Sequence, residues 1–277
     1  METQTGIDIF SASFKDHAFA SYADLRETDP VLSVALPNEQ TLWLVLRYSD
    51  ASAMMKEHSR FGNDIANAYA ETELEDIRAQ FLAGMSEEQA KQMLDLDQLF
   101  GRILLSIDPP DHSRLRRLVA IPFTPRYIEG LRGRVREIAS SLLDDIDANV
   151  RSGQRQFDLI DDFSYPLPLT VIAEMLGIPE EDYDRFRVWS QASVTFVPGQ
   201  PQTQEHTDLL QEFASYLRQL AIAKRESPGD DLLSGLVQAE ADGDKLSEEE
   251  LISMMFLLIV AGHETTVNLI ANGTLLL

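Results

Sequence analysis

The stretch "SEEELISMMFLLIVAGHETTVNLI", residues 247 to 270, constrains the fold of this chain more than any other. Ser247 with Glu250 three residues on is a capping box, so the spacing predicts a helix that starts there and runs into a continuous apolar stretch. The apolar run is then interrupted by Gly262, His263, Glu264, Thr265 and Thr266 before it resumes. Burying a carboxylate and two hydroxyls in such a helix costs free energy unless they are satisfied or used. A zinc protease would need a second histidine in H-E-x-x-H, and Val267 occupies that place. Two readings stay open. In one the helix passes over a reaction site: Gly262 lets a flat ligand approach the backbone, and Thr265 turns its hydroxyl to the Ala261 carbonyl four residues back. Glu264 beside them passes protons. In the other the motif is a buried helix with a structural bend and a glutamate that faces solvent.

Composition narrows what can surround this helix. The 277 residues are 44% hydrophobic and 25% charged, which suits a globular protein with ample core. A formal charge of −23 argues against nucleic-acid partners. With no cysteine in the sequence there is no disulfide, thiolate metal site or cysteine nucleophile within it. The uninterrupted apolar run "MMFLLIVA" is far shorter than the roughly 20 residues of a membrane span, and the N-terminus shows no signal pattern. A cytoplasmic protein without membrane attachment is the expectation.

Along the chain, Val31–Ala35 and Thr41–Arg47 read as two strands of a hairpin turned by "PNEQ". Helical periodicity then dominates: "DASAMMKEHSRFG", closed by Gly62, and acidic helical pieces within 63–107 ("TELEDIRAQF", "MSEEQAKQMLDLDQLFGRILL"). A long amphipathic helix follows from Pro125, then a short extended "RQFDLI". Four more helical stretches are "DDFSYPLPLTVIAEMLGIP", "EEDYDRFRVWSQASV", "TDLLQEFASYLRQLAIAKRES" and "DDLLSGLVQAEADG", with a Pro/Gly/Gln loop "FVPGQPQTQE" between the second and third. The fold class expected is mainly α with a small N-terminal β element, in a single domain.

The other stretch that carries chemistry is "DPPDHSRLRRL", residues 108 to 118. Asp108 reads as an N-cap with Pro109 and Pro110 in the first turn. His112 and Arg116, four apart, share a helix face and could hold a carboxylate or phosphate between them. Arg114 and Arg117 add a positive patch on other faces. The plainer reading is a capped surface helix with solvated arginines.

Together these residues carry a resemblance. "AGHETT" resembles the central-helix signature of the cytochromes P450, and "DPPDHSRLRRLVAIPFTPR" resembles a helix of their soluble bacterial members, about 150 residues earlier. "TLWLVLRYSD" and "SYPLPLTVIAEMLGIPEED" are similar to an early strand and a mid-chain helix of the same family, in the same order. The resemblance implies a P450-like fold and a heme b cofactor. It implies monooxygenation of a small apolar substrate with electrons from a ferredoxin and ferredoxin reductase. It places Ala261 and Gly262 along the oxygen groove, Glu264 and Thr265 in proton delivery, His112 and Arg116 on the heme propionates, and Arg114 and Arg117 toward the redox partner. Segments 63–107 and 180–225 become the substrate-facing walls. The family's thiolate ligand and its later E-x-x-R motif have no counterpart here, so the sequence reads as the N-terminal two-thirds or so of such a domain, ending within the central helix. A polypeptide of these residues alone is expected to be inactive, at most a binding module.

Overall fold

The computed structural model describes residues 8–35, 41–154, 156–195 and 203–277. These divide into two compact units, Met1–Gly62 and Asn63–Leu277.

The first unit begins with α1 (Ala12–Asp16), capped by the Ser11 hydroxyl on the Phe14 amide, and α2 (Ala18–Thr28). Strands β1 (Val31–Ala35) and β2 (Thr41–Val45) pair antiparallel with Val31 opposite Val45 and Ala35 opposite Thr41. Alternation buries Leu32 and Val34 on one face. The expected hairpin is present; its "PNEQ" turn lies outside the described residues. Helix α3 (Tyr48–Lys56) stops before Gly62, because residues 57–60 close into a turn in which the Arg60 amide donates to the Glu57 carbonyl at 3.0 Å.

The second unit is helical. Helices α4 (Glu71–Leu82) and α5 (Glu87–Phe100) occupy the 63–107 region, α5 opening on a Ser86/Gln89 capping box. Helix α6 (Asp111–Ala120) starts later than the sequence suggests. A residue before proline is pushed out of the helical region, so Asp108 and Pro109 stay outside it. The Asp108 carboxylate does not cap α6. It turns back to accept from the Asn63 and Asp64 amides and the Asn67 side chain at 2.8–3.2 Å.

Helix α7 (Pro125–Arg151) has Thr124 as its cap and Pro125 in its first turn. The "RQFDLI" stretch pairs with no other strand among the described residues: the Asp158 carboxylate accepts from the Ile160 and Asp161 amides and starts one wide helical turn, Ile160–Ser164. Helix α8 (Pro166–Leu176) ends at Gly177, whose φ of +65° lets the Ile178 amide reach back to the Ala173 carbonyl at 2.9 Å. Then come α9 (Tyr183–Val194), α10 (Gln204–Glu226) and α11 (Leu232–Gln238).

The sequence reading ran the α11 helix on through "AEADG". Instead β3 (Glu240–Ala241) and β4 (Asp244–Lys245) form a tiny hairpin around Asp242 and Gly243, both with positive φ. Asp-Gly is the dipeptide such a turn prefers, and it outweighs helical periodicity over so short a stretch.

Helix α12 (Glu248–Leu275) carries the expected capping box. It is long and apolar enough, by length and composition, to cross a bilayer, which the eight-residue run alone did not suggest. Its apolarity has another use: Leu251, Ile252, Met254, Met255 and Ile259 belong to the core with Phe186, Trp189, Phe213 and Leu217.

Candidate functional site

On α6, Leu115, Leu118 and Val119 face the core, and that burial decides where the polar side chains point. Arg114 bonds the Glu250 carboxylate at the start of α12 and reaches Asp244 at 3.4 Å. The bond it donates to Glu250 raises its pKa above the ordinary arginine value. Arg117 pairs with Asp242 at 3.2 Å. Both acidic partners of the hairpin come from the turn that the sequence reading missed. The positive patch is therefore largely answered inside the fold, and Arg114, tied to two carboxylates, does not present a free charge to a partner. Arg117 remains half exposed, and its partner Asp242 is 85% exposed.

His112 and Arg116 differ. His112 is partly buried and Arg116 exposed, and neither side chain has a hydrogen bond or ion pair with another described residue. The two strongest donors on this face of α6 are unspent, one turn apart.

On α12, Ile259, His263 and Val267 are buried while Ala261 and Thr265 are exposed. Thr265 donates to the Ala261 carbonyl at 2.7 Å, as the sequence suggests, and Thr266 does the same to Gly262 at 3.1 Å. The Glu264 carboxylate is 44% exposed and accepts from the Asn268 amide nitrogen at 3.2 Å. Gly262 departs from expectation. A Cβ there would meet Ile172 Cδ1 of α8 at 2.5 Å and Cγ1 at 2.9 Å, so the missing side chain makes room for a neighbouring helix. Ala261, one residue earlier, is the small side chain on the open face.

His263 is no candidate for a metal. It is fully buried and bonded on the side away from Ala261 and Thr265, and no group of three or more metal-ligating side chains occurs among the described residues. The larger described cavity, about 380 Å³, lies between α7 and α8 around Leu131, Ile138 and Met175. The other, about 280 Å³, lies among α5, α6 and the start of α12. Neither is lined by His112, Arg116, Ala261 or Thr265, which stand on open helix faces.

No family model matches the chain. Individual proteins do. It is 41% identical over 270 residues to a cytochrome P450 of Bacillus subtilis, a match covering 98% of this chain and 61% of that protein. It is 40% identical over 262 residues to the cytochrome P450 monooxygenase PikC of Streptomyces venezuelae, covering 94% and 56%. Among solved structures, the cytochrome P450 PksS of the Bacillus subtilis bacillaene polyketide synthase superposes with a TM-score of 0.79 at 36% identity, over 98% of this chain and 62% of that one. With sequence and backbone agreeing over almost its whole length, the chain is strongly homologous to bacterial cytochromes P450 and spans about three-fifths of the length of the relatives it matches.

Proposed function

We propose that this chain forms the oxygen-side portion of a cytoplasmic heme monooxygenase that oxidises a small apolar organic molecule. The observation that carries the reading is the contrast on α6: Arg114 and Arg117 are paired, whereas His112 and Arg116 keep their donors free on one face. Two unspent donors one turn apart suit the carboxylates of heme b, because charge-assisted bonds to carboxylate are among the strongest available to a side chain. Heme iron, when bound, supplies the activation of dioxygen. Any cysteine thiolate that ligates it lies outside these 277 residues, which contain none; a polypeptide of these residues alone does not turn over.

The chain's own residues take the supporting roles. Ala261 keeps the open face of α12 low. Thr265, its proton engaged by the Ala261 carbonyl, presents its remaining oxygen lone pairs on that face. Glu264, held by Asn268 and open to solvent, is placed to take up and release protons. Electrons come from a separate ferredoxin-type donor. Arg117 can exchange its exposed partner for an acidic surface, since exposed ion pairs contribute only about 0–1 kcal/mol; Arg114 would have to leave two carboxylates, Glu250 and Asp244, to do so.

The test is heme retention. His112→Ala and Arg116→Ala should each lower the heme content of the purified protein, with the helical circular-dichroism signal unchanged. Full occupancy in both variants contradicts the assignment.

A further inference from the structure

Ile259, His263 and Val267 form one buried stripe of α12, packed toward α8 and α9. An aliphatic residue at 263 would complete it. A fully buried imidazole fits only with its nitrogens satisfied. Nδ1 of His263 lies 2.8 Å from the Ile259 carbonyl. A carbonyl only accepts, so Nδ1 carries the proton, and in the uncharged ring Nε2 is left as an acceptor. Ser190 of α9, itself fully buried, places its hydroxyl 3.3 Å from both ring nitrogens; with Nδ1 protonated toward Ile259, Nε2 is the nitrogen that can accept from it. Tyr165, just before α8, stands edge-on to the imidazole with centroids 5.5 Å apart, and its hydroxyl donates to the Arg187 carbonyl of α9 at 3.4 Å.

Among the described residues the Ser190–His263 bond is the one side-chain hydrogen bond that joins α9 to α12. The rest of that contact is apolar. Apolar burial is non-directional, so it holds two helices together without fixing how one is rotated on the other. A buried hydrogen bond fixes rotation. The next residues on α12 after His263 are Glu264 and Thr265. The Glu264 carboxylate comes within 4.0 Å of Nε2 without bonding it, and is left to Asn268.

We propose that His263 is a positioning residue: through Ser190 it sets the register of α9 against the turn of α12 that carries Glu264 and Thr265. The geometric part stands on the two helices alone; its consequence for turnover rests on the monooxygenase reading. Helix α9 lies within the segment assigned to the substrate wall, so the register decides where substrate is held relative to the proton-handling pair. A loose register lets oxygen be consumed without product.

Three measurements on the protein test this. Nitrogen-15 spectra should show His263 protonated at Nδ1, and Ser190→Ala should move the Nε2 resonance. Hydrogen exchange of the α9 amides should rise about fivefold in Ser190→Ala and in His263→Leu, the scale of one ordinary buried hydrogen bond, and no further in the double variant. His263→Asn should not restore protection: Asn268 and Asn272 show that an asparagine in this helix reaches the carbonyl four residues back, which is the Ile259 bond and not the Ser190 one. In heme-loaded protein that also supplies the thiolate ligand, product formed per oxygen consumed should fall in step with the lost protection, at unchanged heme content. A proton on Nε2, multiplicative effects in the double variant, or rescue by asparagine overturns the proposal. Failure to take up heme instead removes the monooxygenase reading, and the tautomer and exchange results still decide the register.

Discussion

Replacing Gly262 with alanine separates two explanations of the glycine in "AGHETT". In an exposed helix interior the change would stabilise the protein by about 1 kcal/mol, because glycine is the poorer helix former. Here the new Cβ falls 2.5 Å from Ile172 Cδ1 and 2.9 Å from Cγ1. Ile172 is 8% exposed and packed within the core, and a β-branched side chain has few alternative rotamers. Overpacking of this kind costs about 1–3 kcal/mol. The two effects leave a net destabilisation of about 0–2 kcal/mol. That figure alone is weak, so the decisive comparison is made in an Ile172→Ala background. There the obstructing atoms are gone and the added methyl enters vacated space. Gly262→Ala should then be stabilising, giving a coupling energy of about 1–3 kcal/mol between the two positions, typical of residues in contact. Urea denaturation of the four proteins at one temperature measures it. A coupling within about 0.5 kcal/mol of zero, the additivity expected of independent sites, would refute the claim that helix packing demands this glycine.

Two further outcomes follow from buried polar groups. Asp231 accepts from Lys224 at 2.6 Å and caps α11 through the Ser234 amide at 2.8 Å, with both charged side chains mostly buried. Asp231→Ala should cost about 3–5 kcal/mol by stranding the ammonium, and Asp231→Asn less, since its oxygen can keep the cap; equal costs in denaturant titrations would remove the cap from the account. At alkaline pH, burial, reinforced by the bond to Asp182, holds the Tyr216 hydroxyl well above the usual tyrosine range. The unfolded chain loses this proton near pH 10 while the folded one keeps it. The associated stability is complete below about pH 10 and declines as pH rises toward the folded value. Tyr216→Phe should flatten that decline, leaving the part due to Tyr127, Tyr165 and Tyr183, which are raised as well; an unchanged slope would contradict it.

The elements that were legible in the sequence are those whose signals are local. The Ser247/Glu250 box, Pro125 in a first turn and the bond from Thr265 to the Ala261 carbonyl each depend on residues within four or five positions. What stayed hidden depends on partners far along the chain. Asp108 looks like a cap until Asn63, Asp64 and Asn67 are brought to it. Arg114 looks like a surface charge until Asp244 and Glu250 arrive, more than 100 residues later. Gly262 suggests ligand approach until Ile172 fills the space. One miss was readable: the Asp242-Gly243 pair signals a tight hairpin, and taking it as such would have placed two acidic residues in a turn of their own.

The reading of α6 and α12 as the heme-facing helices is tested most directly by titrating heme into this 277-residue chain and into its His112→Ala/Arg116→Ala variant, then reducing both under carbon monoxide. Heme should bind the parent chain at least about tenfold more tightly, a difference of about 1.4 kcal/mol, and neither should give a thiolate-type Soret band, since no cysteine is present. Equal affinity in the two proteins would contradict the account.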